Sequence, residues 1–357
     1  MPSPSNTKQV RDRVGSVLTA FVTAKTEAAR RQGLPVAVPL AVGEFLAAGG
    51  KRIRPLMCVL GWHAAGGSRS ASPAVQAGAA LEMFHAFCLI HDDVMDHSDT
   101  RRGRPTVHRA LARHHSAGRT AQAARNLGAG AAILAGDLAL LWSDELLNSG
   151  DAGLDAIQCE RVRPLVNVMR SEVMYGQHLD LVSTGQPTTD VDSALLIARY
   201  KTAKYTIERP LQIGAALAGA EQRLLARLSE FALPLGEAFQ LRDDLLGAFG
   251  NQGRTGKPAL DDLRQGKHTA LAAHALRTAD ADQVHRLRTR YGDPALDEAG
   301  AAALRTVFED TGALRAVEHM IVTRYERALA ALDAARLPQE ADTQLRSLAR
   351  RSAWRTA

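Results

Sequence analysis

Aromatic side chains make up only 4% of the 357 residues, and alternation of Val, Ile, Thr or aromatic residues between turn signals is almost absent. That scarcity argues against a sandwich or barrel, whose strands carry a period-two pattern. Cysteine is scarce too: Cys58, Cys88 and Cys159 lie in apolar helical surroundings, cannot build a disulfide framework and lack metal-ligand spacing. A reducing, cytoplasmic setting is expected. No secretory-type apolar run opens the chain, and the longest apolar stretch, Leu127 to Trp142, is broken by Asp137, so neither a leader nor a membrane span is expected. Lysine is the last scarcity, with seven among 44 Lys and Arg residues. The net charge of +6 therefore rests on arginines dispersed over helical faces, a weak pointer to nucleic acid, and no nucleic-acid partner is expected. The few lysines become the informative cations.

What is abundant is Ala, Leu, Arg and Glu at helical period from end to end, which predicts an all-α protein. Gly, Pro and Ser clusters at Gly49-Gly50, Gly66 to Pro73, Gly185 to Pro187, Gly250 to Pro258 and Tyr291 to Pro294 separate the helical stretches. None is long enough to be a linker, and no fixed-period repeat is visible. The expected organisation is a flexible tail over residues 1–12 and a single many-helix domain over 13–357.

The strongest local feature is Leu81 to Asp96, an apolar helix that runs into Asp92, Asp93 and Asp96. Asp92 and Asp96 are one turn apart and share a face, while Asp93 points about 100° away. Carboxylates at that spacing repel, and a cation between them is the natural compensation. Hard oxygen donors with room for water and phosphate suit Mg²⁺. Thr100-Arg-Arg-Gly-Arg-Pro-Thr-Val-His108 follows directly, and its Gly103 and Pro105 mark a turn that keeps Arg101 and Arg102 near the acids, where they could bind phosphate or simply neutralise the patch. Gly49-Gly-Lys-Arg-Ile-Arg-Pro55 places Lys51 and Arg54 on a tight helix connection with free backbone N–H groups, suited to a second anion although it lacks P-loop spacing. A second apolar helix, Phe239-Gln-Leu-Arg-Asp-Asp-Leu-Leu-Gly247, runs into Asp243 and Asp244, followed by Thr255-Gly-Lys-Pro258 and by Asp261 to Thr269. Tyr200 to Pro210 carries Lys201 and Thr202 on a helix, so five of the seven lysines lie in these motifs. No GxSxG, HExxH or CxxC pattern points to a nucleophile or a metal hydroxide. His91, His97, His108, His114 and His115 crowd one region without zinc-ligand spacing.

In this order the motifs resemble those of the trans-polyprenyl diphosphate synthases, the farnesyl and geranylgeranyl diphosphate synthase type, over nearly the whole chain from about Val42 onward. The resemblance implies an all-α bundle around a central cavity in which two acidic helices face each other. It implies head-to-tail addition of isopentenyl diphosphate to an allylic diphosphate, several Mg²⁺ ions and a homodimer. Carried over by residue, it makes Asp92, Asp96 and Asp243 metal ligands, with Asp93, Asp244, Lys201 and Arg101 beside them in the reaction. Lys51, Arg54, His85 and Arg102 are expected at the isopentenyl diphosphate, and Arg101, Lys201, Thr202, Gln240, Lys257 and Lys267 at the allylic diphosphate. The second acidic motif of such enzymes usually ends in an aspartate at its fifth position, where this chain has Gly247. That removes a metal-site carboxylate.

Product length in such enzymes depends on what closes the tunnel below the first acidic motif. Phe87 lies roughly 7.5 Å and Phe84 roughly 12 Å down the helix from Asp92, and the residue four before Asp92 is the small Cys88. An aromatic at the fifth position before the motif with a small residue at the fourth resembles a C20 producer, so geranylgeranyl diphosphate is expected. Alternatives are a farnesyl diphosphate synthase, a weakly active or non-catalytic subunit of a heteromeric synthase, and a class I terpene cyclase. The cyclase needs an Asn/Ser/Glu trio, and the nearest candidate, Asn167 with Ser171, puts Tyr175 where Glu belongs.

Overall fold

A computed structural model describes residues 7–68, 70–148, 154–250 and 260–354. The described residues are almost wholly helical, with one two-stranded hairpin, as the composition predicts. They divide into two compact units, Met1–Val162 with Ile213–Gly219 and Arg163–Gln212 with Ala220–Ala357, where the sequence predicts one domain. Two of the three boundaries, Val162–Arg163 and Gln212–Ile213, fall inside helices, where no linker composition marks them, and the third, Gly219–Ala220, falls in the short turn after Leu217.

The first unit begins with α1 (Thr7–Arg31), so the expected tail is already helical from residue 7; residues 1–6 lie outside the described residues. Val10, Val14, Leu18 and Val22 recur every fourth position and are all buried. Each such burial is worth roughly 1.5–3 kcal/mol, more than end fraying costs. After α2 (Ala37–Ala47) and α3 (Ile53–Ala64) comes α4 (Ser72–Met95), which packs on α1, α3 and α6 (Ala121–Asn148). Between α4 and α6 lie strands β1 (Thr100–Arg101) and β2 (Arg104–Pro105) and helix α5 (Val107–His114). α7 (Ala156–Ser183) starts in this unit. Among the described helices α4 and α6 are long and apolar enough to cross a membrane, but 78% of the apolar window of α4 is buried core. In α6 the share is 39%, because Ile133, Leu134 and Leu141 are exposed.

The second unit is organised around α10 (Gln222–Phe249), packed by an eleven-residue π-helical segment, Ala198–Glu208, and by α15 (Ala313–Ala335) and α16 (Gln339–Ala353). The π segment joins α8 (Val191–Ile197) to α9 (Arg209–Leu217). Such i→i+5 stretches are rare and concentrate at functional sites. Glu172 of α7 anchors this one, accepting from Lys204 Nζ at 2.5 Å and from Arg209 Nε at 2.7 Å. Four further helices, α11 (Asp261–Gln265), α12 (Ala270–Thr278), α13 (Ala281–Arg290) and α14 (Glu298–Asp310), complete the unit. Its core includes Leu241, Leu245, Phe308, Val317 and Ile321.

Candidate active site

In the first unit the apolar periodicity of α4 carries the chain to Asp92 and Asp93, with Asp96 as C-cap. Asp93 is fully buried, and Arg101 holds both acids: its Nε donates to Asp93 Oδ1 at 2.8 Å and its Nη2 to Asp92 Oδ2 at 3.3 Å. Burial pushes the Asp93 carboxyl up to about 6, opposed by Arg101 and assisted by Asp92 and Asp96. The other Asp93 oxygen, Oδ2, is buried without a hydrogen-bond partner. The hairpin that delivers Arg101 turns at Arg102 and Gly103, whose φ values of 55° and 71° fit a type I′ turn. A non-glycine residue held there stores strain on the order of 1–3 kcal/mol.

That strained residue meets the glycine-rich connection. Gly50 has φ +151°, a conformation L side chains rarely adopt, and a Cβ on it would lie 2.7 Å from Arg102 Nη2 and push the guanidinium from this place. Arg102 also lies over the Phe45 ring at 5.6 Å. The connection is fixed from α1: Arg11 donates to the Lys51 carbonyl at 2.9 and 3.1 Å, and Arg52 Nη1 donates to the Arg11 carbonyl at 2.7 Å. Lys51 is exposed beside this anchored backbone. Burial, followed by the charges of Arg54, Arg102 and Arg101, lowers the His85 pKa well below the ordinary histidine value, which makes the imidazole neutral. Glu82, one turn earlier on α4, is buried near Arg54, Arg52 and Arg102. Burial raises its pKa against the pull of those arginines. Glu82 and Arg11 belong to no sequence motif; the signal for Glu82 is an acid in an otherwise apolar buried helix.

Below Asp92 the face of α4 is lined by rings. Phe84 and Phe87 have centroids 5.4 Å apart, and Phe87 and His91 4.7 Å apart. His91 Nε2 lies 3.0 Å from the Ile133 carbonyl of α6. Phe84 and Phe87 are buried, while Cys88 is partly exposed.

In the second unit α10 presents Asp243 and Asp244. Thr202 Oγ1 donates to Gln240 Oε1 at 2.6 Å, and Gln240 Nε2 donates to Asp244 Oδ1 at 2.7 Å. Burial holds Asp244 up at about 7; the Gln240 hydrogen bond opposes this, while Asp243, Asp262 and Asp180 add to it. Lys201 Nζ and Lys267 Nζ lie 2.5 and 4.0 Å from Asp180 Oδ2. Asp180 is buried and belongs to no motif noticed in the sequence; its only signal is an acid within the apolar run Leu179 to Val182. Tyr291 hydroxyl donates to the Lys267 carbonyl at 2.6 Å, fixing that lysine's backbone. Lys257 lies outside the described residues.

Each unit thus gathers carboxylates beside cationic side chains: Asp92 and Asp93 with Arg101 and the nearby Arg102, Arg54 and His85 in one, Asp243, Asp244 and Asp180 with Lys201 and Lys267 in the other. Among the described residues no three His, Cys, Asp or Glu side chains converge as a ready-made metal cage. The cyclase trio is not assembled either: Ser171 Oγ donates to its own helix at the Asn167 carbonyl, 3.1 Å away, and Tyr175 is 69% exposed.

An all-α fold with paired acidic and cationic groups defines a protein that handles polyphosphorylated ligands through hard divalent cations. The polyprenyl synthetase family model matches residues 39–307, and the chain belongs to that family. It is a trans-prenyltransferase. Over 98% of its length the chain resembles geranylgeranyl pyrophosphate synthase from Corynebacterium glutamicum, solved with isoprenyl diphosphate and magnesium, at 40% identity, a TM-score of 0.92 and 99% coverage of that chain. It is 32% identical to a geranylfarnesyl diphosphate synthase of Aeropyrum pernix over 285 residues, 80% of this chain and 83% of that one. It is 34% identical to a geranylgeranyl diphosphate synthase of Mycobacterium tuberculosis, covering 81% and 77% of the two chains.

Proposed function

We propose that the protein condenses isopentenyl diphosphate with an allylic diphosphate and releases geranylgeranyl diphosphate. The observation that carries this reading is the likeness to the magnesium- and isoprenyl-diphosphate-bound synthase, together with the acid-and-cation groups that both units contain.

The donors of each unit fit Mg²⁺: in the first, Asp92 and Asp96 offer hard oxygens and the buried Asp93 Oδ2 is an acceptor still without a hydrogen-bond partner, and in the second Asp243 offers another. Metal held by these carboxylates would neutralise diphosphate as the allylic C–O bond ionises. The protein's own residues supply the rest. A pair of unit charges 4 Å apart gains about 1 kcal/mol in water but about 4 kcal/mol at an effective dielectric of 20, so cations in a partly dry site favour the leaving polyanion. Lys201 and Lys267 are held near it by Asp180, and Thr202 and Gln240 orient Asp244. Arg101 keeps Asp92 and Asp93 in place before substrate arrives. Lys51, Arg54 and Arg102 bind the second diphosphate, with neutral His85 offering a donor that adds no charge. No dedicated base is required, because the released diphosphate can accept the proton lost after C–C bond formation.

The row of rings formed by Phe84, Phe87 and His91, tilted in the first pair and edge-on in the second, supports a floor that stops growth at C20. The exposed Leu134 and Leu141 of α6, seven residues apart and therefore on one helical face, support a homodimer formed through that helix. A cytoplasmic location agrees with this reading.

Purified protein incubated with Mg²⁺, labelled isopentenyl diphosphate and each allylic primer, followed by product chromatography, tests it. A C20 diphosphate is expected. A C15 product would favour the farnesyl reading, activity only with a second chain the subunit reading, and hydrocarbon formed without isopentenyl diphosphate the cyclase. Sedimentation of the wild type beside Leu141→Glu tests the dimer, which the charge is expected to split.

A further inference from the structure

Of the lysines that fall in the sequence motifs, Lys204 is the one the diphosphate chemistry does not use. It stands three residues beyond Lys201 on the π segment and turns to a different acid. Its Nζ donates to Glu172 Oε1 at 2.5 Å, and the same carboxylate takes Arg209 in a two-pronged grip, Nη2 on Oε1 and Nε on Oε2, each at 2.7 Å. All three side chains are only 14% exposed. Burial works against the Glu172 charge, but the hydrogen bonds from Arg209 and Lys204 outweigh it and hold its pKa below the ordinary carboxylate value. The buried Glu208 closes the group, with Oε2 3.7 Å from Lys204 Nζ and 3.8 Å from Arg209 Nε.

The spacing of the two cations carries the argument. Lys204 and Arg209 are five residues apart, and in an α-helix, at about 100° per residue, side chains five apart diverge by about 140°. Here the Arg209 N–H donates to the Lys204 carbonyl, the i→i+5 bond of π winding, which brings the two residues back over one another. One carboxylate on α7 can then receive both. The other end of the segment is held as well: Arg199 Nε donates to Glu237 Oε1 of α10 at 2.7 Å, and Glu237 Oε2 accepts from Arg324 Nε of α15 at 2.8 Å. Between these anchors the adjacent Lys201 and Thr202 reach opposite neighbours, Asp180 of α7 and Gln240 of α10. A segment relaxed to α winding would turn its side chains about the axis, and the two could no longer meet both helices at once.

We propose that Glu172 is a positioning residue: by gripping Lys204 and Arg209 together it locks the π winding, and the winding aims Lys201 and Thr202 at the allylic diphosphate. Lys204 is then a pin that fixes the register, with no contact to substrate. The inference rests on the proposed reaction and adds to it a residue that touches neither diphosphate.

The test compares full-length wild type, Glu172→Gln and Glu172→Asp with Mg²⁺, varying the allylic and the isopentenyl diphosphate separately, beside a crystal structure of Glu172→Gln. For Glu172→Gln, kcat/KM for the allylic diphosphate is expected to fall by about 100-fold, the scale of a misplacement on the order of 1 Å. KM for isopentenyl diphosphate is expected to stay within about twofold, a split that general loosening of the fold would not produce. Glu172→Asp, which keeps the charge, is expected to recover most of the loss. In the Glu172→Gln crystal the Arg209 N–H is expected to leave the Lys204 carbonyl for that of Tyr205, the α-helical partner. An Arg209 N–H still on Lys204, or a loss shared equally by both substrates, would overturn the proposal. Should Glu172→Gln fail to fold, Arg209→Lys, which withdraws the two-pronged grip and keeps the charge, is read by the same measurements. A wild type that elongates no allylic diphosphate sinks the functional reading, while the bond made by the Arg209 N–H still decides the lock.

Discussion

Gly176 of α7 lies directly on the backbone of Lys201: a Cβ there would come within 2.3 Å of the Lys201 nitrogen. One turn further along α7, Asp180 receives the Lys201 ammonium at 2.5 Å. The same device recurs on α10, where a Cβ on Gly236 would lie 2.5 Å from Ala203 Cα, and Gln240, one turn on, receives Thr202. Two glycines thus set the depth at which α7 and α10 grip the π segment, and two polar pairs one turn later exploit that closeness.

Replacing Gly176 by alanine forces backbone atoms apart, since no flexible side-chain end can yield. The expected result is a loss of about 1–3 kcal/mol in stability, as for overpacking, and a fall in turnover through the displaced Lys201–Asp180 pair. Denaturant melts and steady-state rates measure both. An unperturbed rate would show that the spacing of α7 and the π segment does not govern Lys201.

The lysines separate into cations at the sites and cations elsewhere. Lys51→Ala and Lys201→Ala are each expected to lower kcat/KM by about 100-fold or more, the scale of a lost charge contact in a pre-arranged site. Lys8→Ala, on the exposed side of α1, is expected to leave it within about twofold of wild type. Equal effects at all three positions would refute the assignment.

Phe87 stands between Phe84 and His91, so removing its ring opens the column beside α4. Chromatography of Phe87→Ala products is expected to show diphosphates longer than C20. Chain length identical to wild type would place the floor elsewhere.

His268 lies with Nε2 3.0 Å from the Asp190 carbonyl and Nδ1 3.4 Å from the Thr188 N–H, and burial lowers its pKa against the opposing pull of Asp190 and Asp180. Its folded pKa therefore lies below the unfolded value of about 6.5. Below that pH the unfolded chain binds the extra proton, so the stability His268 contributes is full above about pH 6.5 and is lost as pH falls toward the folded value. His268→Gln is expected to lower the melting temperature at pH 7.5 and to differ less from wild type at pH 5.5. A difference that does not change with pH would contradict this.

Asp92 with Asp96, Asp243 with Asp244, and the loops carrying Lys51 and Arg101 were legible in the sequence because each depends on spacing within one helix or turn. Arg101 shows where such reading stops: its role was expected at a phosphate, and in the folded chain it already grips Asp92 and Asp93. Asp180, Glu82 and Arg11 were not legible, since each acts on residues far away in the chain that only packing brings near. The helical start at Thr7 is not legible either, because polar residues crowd the first turns of α1 while its buried stripe, Val10 to Val22, needs a partner surface to matter.

By itself the amino-acid sequence determined the helical class, the family and the two acidic motifs, because helical period and i, i+4 spacing are local properties of the chain. Only the tertiary structure decided which cations reach which acids, where two glycines admit a neighbouring backbone, and that one carboxylate, Glu172, receives both Lys204 and Arg209. Those facts follow from close packing between segments distant in sequence, where a single Cβ decides whether two surfaces can meet.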